Sequence, residues 1–320
     1  WEQLHNFLDG LPRLNPRLHE PEIGKTLASC HRVIEPINSG AFSTVFLVQN
    51  SKQEYQAMKA VKKATLSRFD LVKCISNEVQ ILRRLRHQNV ARFYGAAQSR
   101  EHIIILMEFV GRENLFTFLK QTDTGERKDL EHSQAQDIFL QMSRAIGYCH
   151  EHMVSHRDIK PENFALGDEG GRISIKLVDF GMADDLAAPL KYKGTMPFIA
   201  PEVIEEDVAV YTASAADMWS MGVVLLEMIC GLHALPRILK WKRSMTSDKV
   251  HAKDLRILMS TPGRLRVAVS ERLRPQFKLL QPLDDVLHGM LSLPIGCRWA
   301  SLNVLTCQWL NGPEQGPPAS

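Results

Sequence analysis

His156-Arg157-Asp158-Ile159-Lys160-Pro161-Glu162-Asn163 sets a carboxylate, an ammonium and an amide oxygen within one short stretch. The Asp158 carboxylate can accept a hydroxyl proton or orient a nucleophile. Lys160, two residues on, can neutralise charge developing on a transferred phosphoryl group. Asn163 offers an amide oxygen to a hard cation, and downstream Asp179, in Asp179-Phe180-Gly181, offers a carboxylate to Mg²⁺. Phosphoryl transfer depends on in-line positioning and charge stabilisation more than on covalent chemistry. Hard oxygen ligands beside cationic groups suit it.

Upstream, Asn38-Ser39-Gly40-Ala41-Phe42-Ser43-Thr44-Val45 falls on a strand–turn–strand pattern. A glycine in such a turn lets backbone N–H groups approach phosphates closely. Gly40 alone would equally suit an ordinary hairpin, so its weight comes from the residues downstream of it. Ala57-Met58-Lys59 lies on the next strand, with Ala57 and Lys59 on one face. Lys59 can pair with phosphates if something orients its ammonium, and Glu78 is the candidate partner. Lys62, in a second Ala-x-Lys run, competes for the role at a less comfortable separation from Val45.

The pattern changes character along the chain. Residues 1–30 carry Pro12, Pro16 and Pro21 with weak periodicity, and read as an N-terminal extension outside the main core. From 31 to 110, β-branched and apolar alternation predicts an antiparallel sheet, as in Thr44–Val48 and Ile103–Leu106. One helix interrupts it, with Ile75, Val79, Leu82 and Leu85 forming a single apolar stripe. From 111 to 310 the pattern is mainly helical. Ser133 and Gln136 read as a capping box before a face of Ile138, Met142, Ala145, Ile146 and Cys149. Val223 and Leu226 mark a second, heavily buried helix. The expected fold is therefore α+β and bilobal: a small sheet with one helix, then a larger mainly α-helical lobe, with a ligand cleft between them. Residues 311–320 are rich in Pro and Gly and are expected to be disordered.

At 320 residues the chain can bury one large core or two modest ones, and 44% hydrophobic with 23% charged residues is ordinary for a globular protein. No apolar run approaches the roughly 20 residues that cross a bilayer. No basic-then-apolar export pattern opens the sequence, and Trp1 in place of Met leaves room for a longer native chain. The six cysteines are scattered, without a CxxC pair, and read as free thiols of a cytoplasmic protein, with the nucleus left open. His150, His152 and His156 cluster without metal-ligand spacing. A net charge of +3 says little, and neither a nucleic-acid partner nor a membrane span is expected. Its distribution says more: residues 237–278 hold 12 Lys/Arg against 3 Asp/Glu. That excess is either a solvated helical face or a docking surface for an acidic partner.

These motifs, in this order and on these element types, resemble the eukaryotic protein kinase family over about residues 31–310. Lys160 and the Gly194-Thr195 step are similar to serine/threonine kinases. Gly40–Ser43 and Lys160–Asn163 are closest in motif to the calcium/calmodulin-dependent kinase group. The resemblance implies an ATP-dependent serine/threonine protein kinase using Mg²⁺, acting on protein substrates, with the bilobal kinase fold. It implies Asp158 as catalytic base, with Lys160, Lys59 and Glu78 as further catalytic residues and Asn163 and Asp179 as metal ligands. Nucleotide contacts would come from Asn38, Gly40, Ser43, Val45, Ala57, Lys59, Met107, Glu108, Val110 and Ala165. Leu82, Phe93, His156 and Phe180 would stack as a spine. Glu202 would pair with Arg298, and Asp217 would bind the backbone of the catalytic loop.

The chain departs from the family pattern in informative places. Asn38 and Ser43 replace glycines, stiffening the phosphate loop, and Ala165 replaces a larger residue under adenine, weakening binding by roughly 1 kcal/mol. No Ser or Thr lies between Gly181 and Gly194, which leaves Tyr192 and Thr195 as loop acceptors. Arg157, which would receive a loop phosphate, is expected to meet Asp184 or Asp185 instead. Glu162 and Glu227 match positions that recognise a basic residue before the phosphoacceptor, while Asn114 replaces another acidic position beside Glu113. Two alternatives stand beside the enzyme: an inactive scaffold with this fold, and a small-molecule phosphotransferase.

Overall fold

The computed structural model describes residues 7–13, 26–27, 31–40, 43–67, 69–125, 129–186, 194–205, 213–241 and 248–312. Ala41, Phe42, Cys30, Tyr192 and the tail beyond Gly312 lie outside the described residues. The chain divides into two compact units. The N-terminal unit holds Trp1–Arg112 together with Asp179–Ala183, and the C-terminal unit holds Glu113–Val178 and Asp184–Ser320. The division thus falls two residues later than the alternation pattern suggests, and Asp179-Phe180-Gly181 groups with the sheet.

The N-terminal unit is built on six antiparallel strands: β1 (Thr26–Leu27), β2 (His31–Ser39), β3 (Ser43–Asn50), β4 (Tyr55–Lys62), β5 (Phe93–Gln98) and β6 (His102–Glu108), in the order β1-β2-β3-β4-β6-β5. Alternation sorts the side chains by face. Val33, Val48, Met58 and Ile104 form one buried cluster with Phe46 and Leu106 against it. Val45, Ala57, Lys59, Ile105 and Met107 share the opposite face, because Val45 pairs with Lys59, Lys59 with Ile105 and Ala57 with Met107. Helix α1 (Phe69–Arg84), with Leu85 just beyond its end, buries the predicted stripe of Ile75, Val79, Leu82 and Leu85. The N-terminal stretch is not wholly outside the core, as its prolines suggest: Leu11 is buried, and Gln98 N donates to Pro12 O at 2.9 Å.

The C-terminal unit has a sheet of β7 (Glu113–Asn114), β9 (Phe164–Glu169) and β10 (Arg172–Leu177), and a short pair of β8 (Val154–Ser155) with β11 (Asp184–Asp185). The remainder is helical: α2 (Leu115–Asp123), α3 (His132–Glu151), α4 (Pro201–Glu205), α5 (Ala213–Cys230), α6 (Ala234–Leu239), α7 (Asp248–Ser260), α8 (Arg264–Ser270), α9 (Gln281–Met290), α10 (Ser301–Leu305) and α11 (Gln308–Asn311). The predicted capping box does not form. Helix α3 begins at His132 after Glu131, and the Gln136 amide instead donates to Trp309 O. Its predicted apolar face is fully buried. Helix α11 carries ordered backbone to Asn311, one residue into the predicted tail.

Helix α5 is the only helix among the described residues long and apolar enough to cross a membrane, at 18 residues with mean hydropathy 1.3. In this fold 78% of it is buried, together with the carboxylates Asp217 and Glu227. It is the central helix of the C-terminal unit.

Candidate active site

In the N-terminal unit, Lys59 reaches α1 and the start of the Asp179–Ala183 segment. Lys59 Nζ donates to Glu78 Oε1 at 2.7 Å and to Asp179 Oδ1 at 2.8 Å. The Glu78 side chain is 2% exposed, that of Asp179 52%. Burial alone would lower the Lys59 pKa, but the charges of Glu78 and Asp179 outweigh it and raise the pKa above its ordinary value. The ammonium is therefore fixed as a cation between two carboxylates. Asp179 has φ +60°, and Gly181 follows it where an added Cβ would lie 3.2 Å from Asp179 Oδ1 and 3.4 Å from Lys59 Nζ. Glycine leaves that space to the ion cluster.

The predicted nucleotide-contacting residues of this unit are brought together by register. Asn38 pairs with Val45 and Ser43 with Val61, so both share the face of Val45, Ala57, Lys59 and Met107. Gly40 N donates to Ser43 O at 2.8 Å, closing the hairpin. Glu108 ends β6, where its backbone N donates to Arg92 O at 2.8 Å, and Val110 follows in coil. Lys62, the competing lysine, pairs with His102 and is exposed. Leu82, Phe93 and Phe180 are all buried in this unit.

In the C-terminal unit the stretch 156–163 links β8 to β9, and α5 fixes it from below. The Asp217 carboxylate accepts from His156 N at 2.9 Å, Arg157 N at 2.8 Å, Ser155 Oγ at 2.9 Å and His150 Nε2 at 3.0 Å. Burial pushes the Asp217 carboxyl up, yet these donors and nearby histidines carry it below the ordinary carboxylate value. His156 Nε2 donates to Val178 O at 3.1 Å and His152 Nδ1 to Tyr148 O at 2.8 Å, so all three clustered histidines have structural partners.

Asp158 is gripped on both oxygens. The Thr195 hydroxyl donates to Asp158 Oδ1 at 2.7 Å, and Lys160 Nζ lies 2.8 Å from Asp158 Oδ2 and donates to Thr195 Oγ1 at 3.0 Å. Asn163 Nδ2 donates to Asp158 O at 2.7 Å and lies 3.3 Å from Asp158 Oδ2. Gly194, at φ +130°, lets the chain pass 3.3 Å from Arg157 O where a Cβ would stand. A recess lined by Asp158, Ile159, Thr195, Phe198 and Val203 adjoins this triangle. The sequence offers Thr195 only within a step similar to serine/threonine kinases and as a loop acceptor; the structure sets its hydroxyl against both Asp158 and Lys160. Its distance of 37 positions from Asp158 leaves no local signal.

The supporting pairs expected from the resemblance are present. Arg298 holds Glu202 bidentately, one bond at 3.0 Å, while its Nε donates to Ser292 O at 2.9 Å. Arg157 Nη1 lies 3.3 Å from Asp184 Oδ2, and Nη2 donates to Asp185 O at 3.4 Å. Ala165 lies on β9 opposite Lys176. Asn114 is used structurally: its side chain accepts from Thr117 N at 2.9 Å and caps α2. Glu113 accepts from Gln121 Nε2 at 3.2 Å. Glu227 is buried on α5, and burial, with Glu162 and Asp123 adding to it against a bond from His233 N, pushes its carboxyl up to about 8.

The protein kinase domain family matches residues 31–310. The carbon catabolite-derepressing protein kinase of Candida tropicalis is 33% identical over 205 residues, covering 63% of this chain and 31% of that protein. The Aurora kinase of Schizosaccharomyces pombe is 31% identical over 259 residues, 79% of this chain and 69% of the relative. CBL-interacting serine/threonine-protein kinase 18 of Arabidopsis thaliana is 33% identical over 203 residues, 61% and 37% respectively. The chain therefore spans about a third of the length of the first and third of these relatives.

Proposed function

Because this chain belongs to the protein kinase family, we propose that it transfers the γ-phosphoryl group of ATP to serine and threonine hydroxyls of proteins. The observation that carries this reading is Asp158, held between the Thr195 hydroxyl at 2.7 Å and the Lys160 ammonium at 2.8 Å. A carboxylate so placed can orient a hydroxyl and take its proton, while Lys160 stabilises charge on the transferred group. Lys59, oriented by Glu78, would hold the α- and β-phosphates. Asn38, Gly40, Ser43, Val45, Ala57, Met107, Glu108, Val110 and Ala165 would contact the rest of the nucleotide. Asn163 and Asp179 present the hard oxygens that suit Mg²⁺, which would neutralise phosphate charge when bound. We assign the kinase domain to residues 31–310.

Glu227 and Glu162 favour substrates with a basic residue before the acceptor, since a cation would draw the proton from the buried Glu227. The Arg157–Asp184 pair supports activity without a loop phosphoserine or phosphothreonine. The free, exposed thiol of Cys297 fits a reducing compartment, the cytoplasm or nucleus.

Radiolabelled ATP with Mg²⁺ and a generic basic protein tests the main reading. Asp158→Ala and Asp179→Ala should each lower labelling about a hundredfold or more. Equal labelling by wild type and variants would show that the roles are misassigned and favour an inactive scaffold. Phosphoamino-acid analysis should give phosphoserine and phosphothreonine.

A further inference from the structure

Helix α7 lies in the basic stretch and presents two faces of different character. His251, Ala252, Leu255 and Leu258 are buried, while Lys249, Val250, Lys253, Arg256, Ile257 and Ser260 are exposed. Lys249, Lys253, Arg256 and Ser260 follow one another at spacings of four and three residues, so they form a single stripe along the exposed face. Val250 and Ile257, seven residues apart, border that stripe and are 42% and 41% exposed.

A face that only met water would be built differently. Like charges at i and i+4 destabilise a helix by a few tenths of a kcal/mol, and Lys249 and Lys253 stand in that relation. Among the described residues neither lysine has an ion-pair partner. Arg256, by contrast, is clamped by both carboxylate oxygens of Glu205, with Nε at 2.7 Å from Oε1. β-Branched residues are also weak helix formers that gain nothing when exposed. Two unfavourable choices, uncompensated charge and exposed β-branched side chains, thus coincide on one stripe. An occupant carrying the opposite charge pattern beside an apolar edge removes both.

We propose that this face of α7 binds an acidic amphipathic helix of a partner protein, with glutamates or aspartates against Lys249 and Lys253 and an apolar edge over Val250 and Ile257. The exposed stripe spans about three helical turns, or roughly 17 Å, which sets the length of the partner segment. Charge complementarity speeds the encounter, and the apolar pair fixes the register. The docking surface contains none of the residues assigned to phosphoryl transfer.

The test uses the full chain and a labelled synthetic peptide whose glutamates line one helical stripe beside leucines, titrated by fluorescence anisotropy. A scrambled isomer of the same composition is the control. Two surface variants, Lys249→Glu/Lys253→Glu and Val250→Ser/Ile257→Ser, should melt as wild type does, because all four side chains are exposed. Wild type should bind the ordered peptide about tenfold more tightly than the scrambled one, and each variant should lose about tenfold in affinity. Added salt should weaken wild type more than the charge-reversed variant. Equal binding of the two peptides, or a loss confined to the charge-reversed variant, would reduce the face to a charged surface and overturn the proposal. Absence of peptide binding would overturn it too. Phosphatidylserine vesicles captured by wild type alone, without peptide binding, would assign the face to a membrane instead.

Discussion

The Arg157 side chain is 4% exposed, with the Asp184 carboxylate 3.3 Å from its Nη1. A guanidinium cannot shed its proton inside a protein, so its charge must be matched where it stands. Asp184, inside the Gly181–Gly194 segment that lacks Ser and Thr, supplies that match from within the chain. Removing one partner of a buried pair leaves the other charge uncompensated, at a cost of about 3 kcal/mol here, the lower end because Asp184 is 19% exposed. Asp184→Asn should therefore lower kcat about tenfold or more with a smaller change in peptide KM, while Asp184→Glu retains most of the rate. Steady-state kinetics on both variants decides this, together with phosphatase treatment of wild type, which should leave the rate unchanged. A variant Asp184→Asn with full activity would show that Arg157 needs no counter-charge.

At the scale of elements, the edge of the N-terminal sheet is covered by the chain's own beginning. The exposed side of β5 would present unpaired backbone groups, and such edges invite pairing with other chains. Here Gln98 N donates to Pro12 O at 2.9 Å, and the Gln98 amide donates to Leu8 O and to Leu11 O, the latter at 3.4 Å. Gln98 Oε1 in turn accepts from Lys63 Nζ at 2.7 Å, tying this edge to the turn that precedes α1. Leu11, 3% exposed, is the anchor. Leu11→Ala should destabilise the protein by about 2–3 kcal/mol and speed amide exchange along β5, measured by thermal unfolding and hydrogen–deuterium exchange. An unchanged exchange pattern would mean that the segment is not docked in solution. Leu4, Leu8, Leu11, Leu14 and Leu18 do recur at spacings of three and four, but Pro12 and Pro16 interrupt the run, which is why the docking of Leu11 is not legible in the sequence. The α3 start is misread for a related reason. Ser133 and Gln136 have capping spacing, but Gln136 gains a partner at Trp309, a contact between distant positions that no local pattern announces.

For the whole molecule, the stretch 156–163 is legible because its candidate site residues lie at short spacings. Glu78 is legible as the partner of Lys59, whereas Asp179, read as a metal ligand, gives no sign in the sequence of its own contact with Lys59. What is not legible is tertiary. His150 and Ser155 complete the shell of Asp217 from 67 and 62 positions away, and no spacing rule connects them. Glu227 shows the same limit: its place on an apolar helix is visible, but not its protonation. Its carboxyl is raised from 4.5 to about 8, so between those values the native state keeps a proton that the unfolded chain releases. The stability this confers is complete below pH 4.5 and is lost as pH rises toward 8. Glu227→Gln keeps an acceptor for His233 N and should flatten that slope, raising Tm at pH 8 above wild type by about 3 °C or more. Parallel melting curves of the two proteins across this range would place the Glu227 titration elsewhere.

The two carboxylates on Lys59 also determine how the chain answers to reagents. An amine attacks an acylating probe only when it is unprotonated, and Glu78 and Asp179 hold this one protonated. Lys59 should thus be among the slowest lysines to label while the cluster is closed, and should become reactive once either contact opens. Its modification rate is a direct gauge of how often the cluster comes apart in solution.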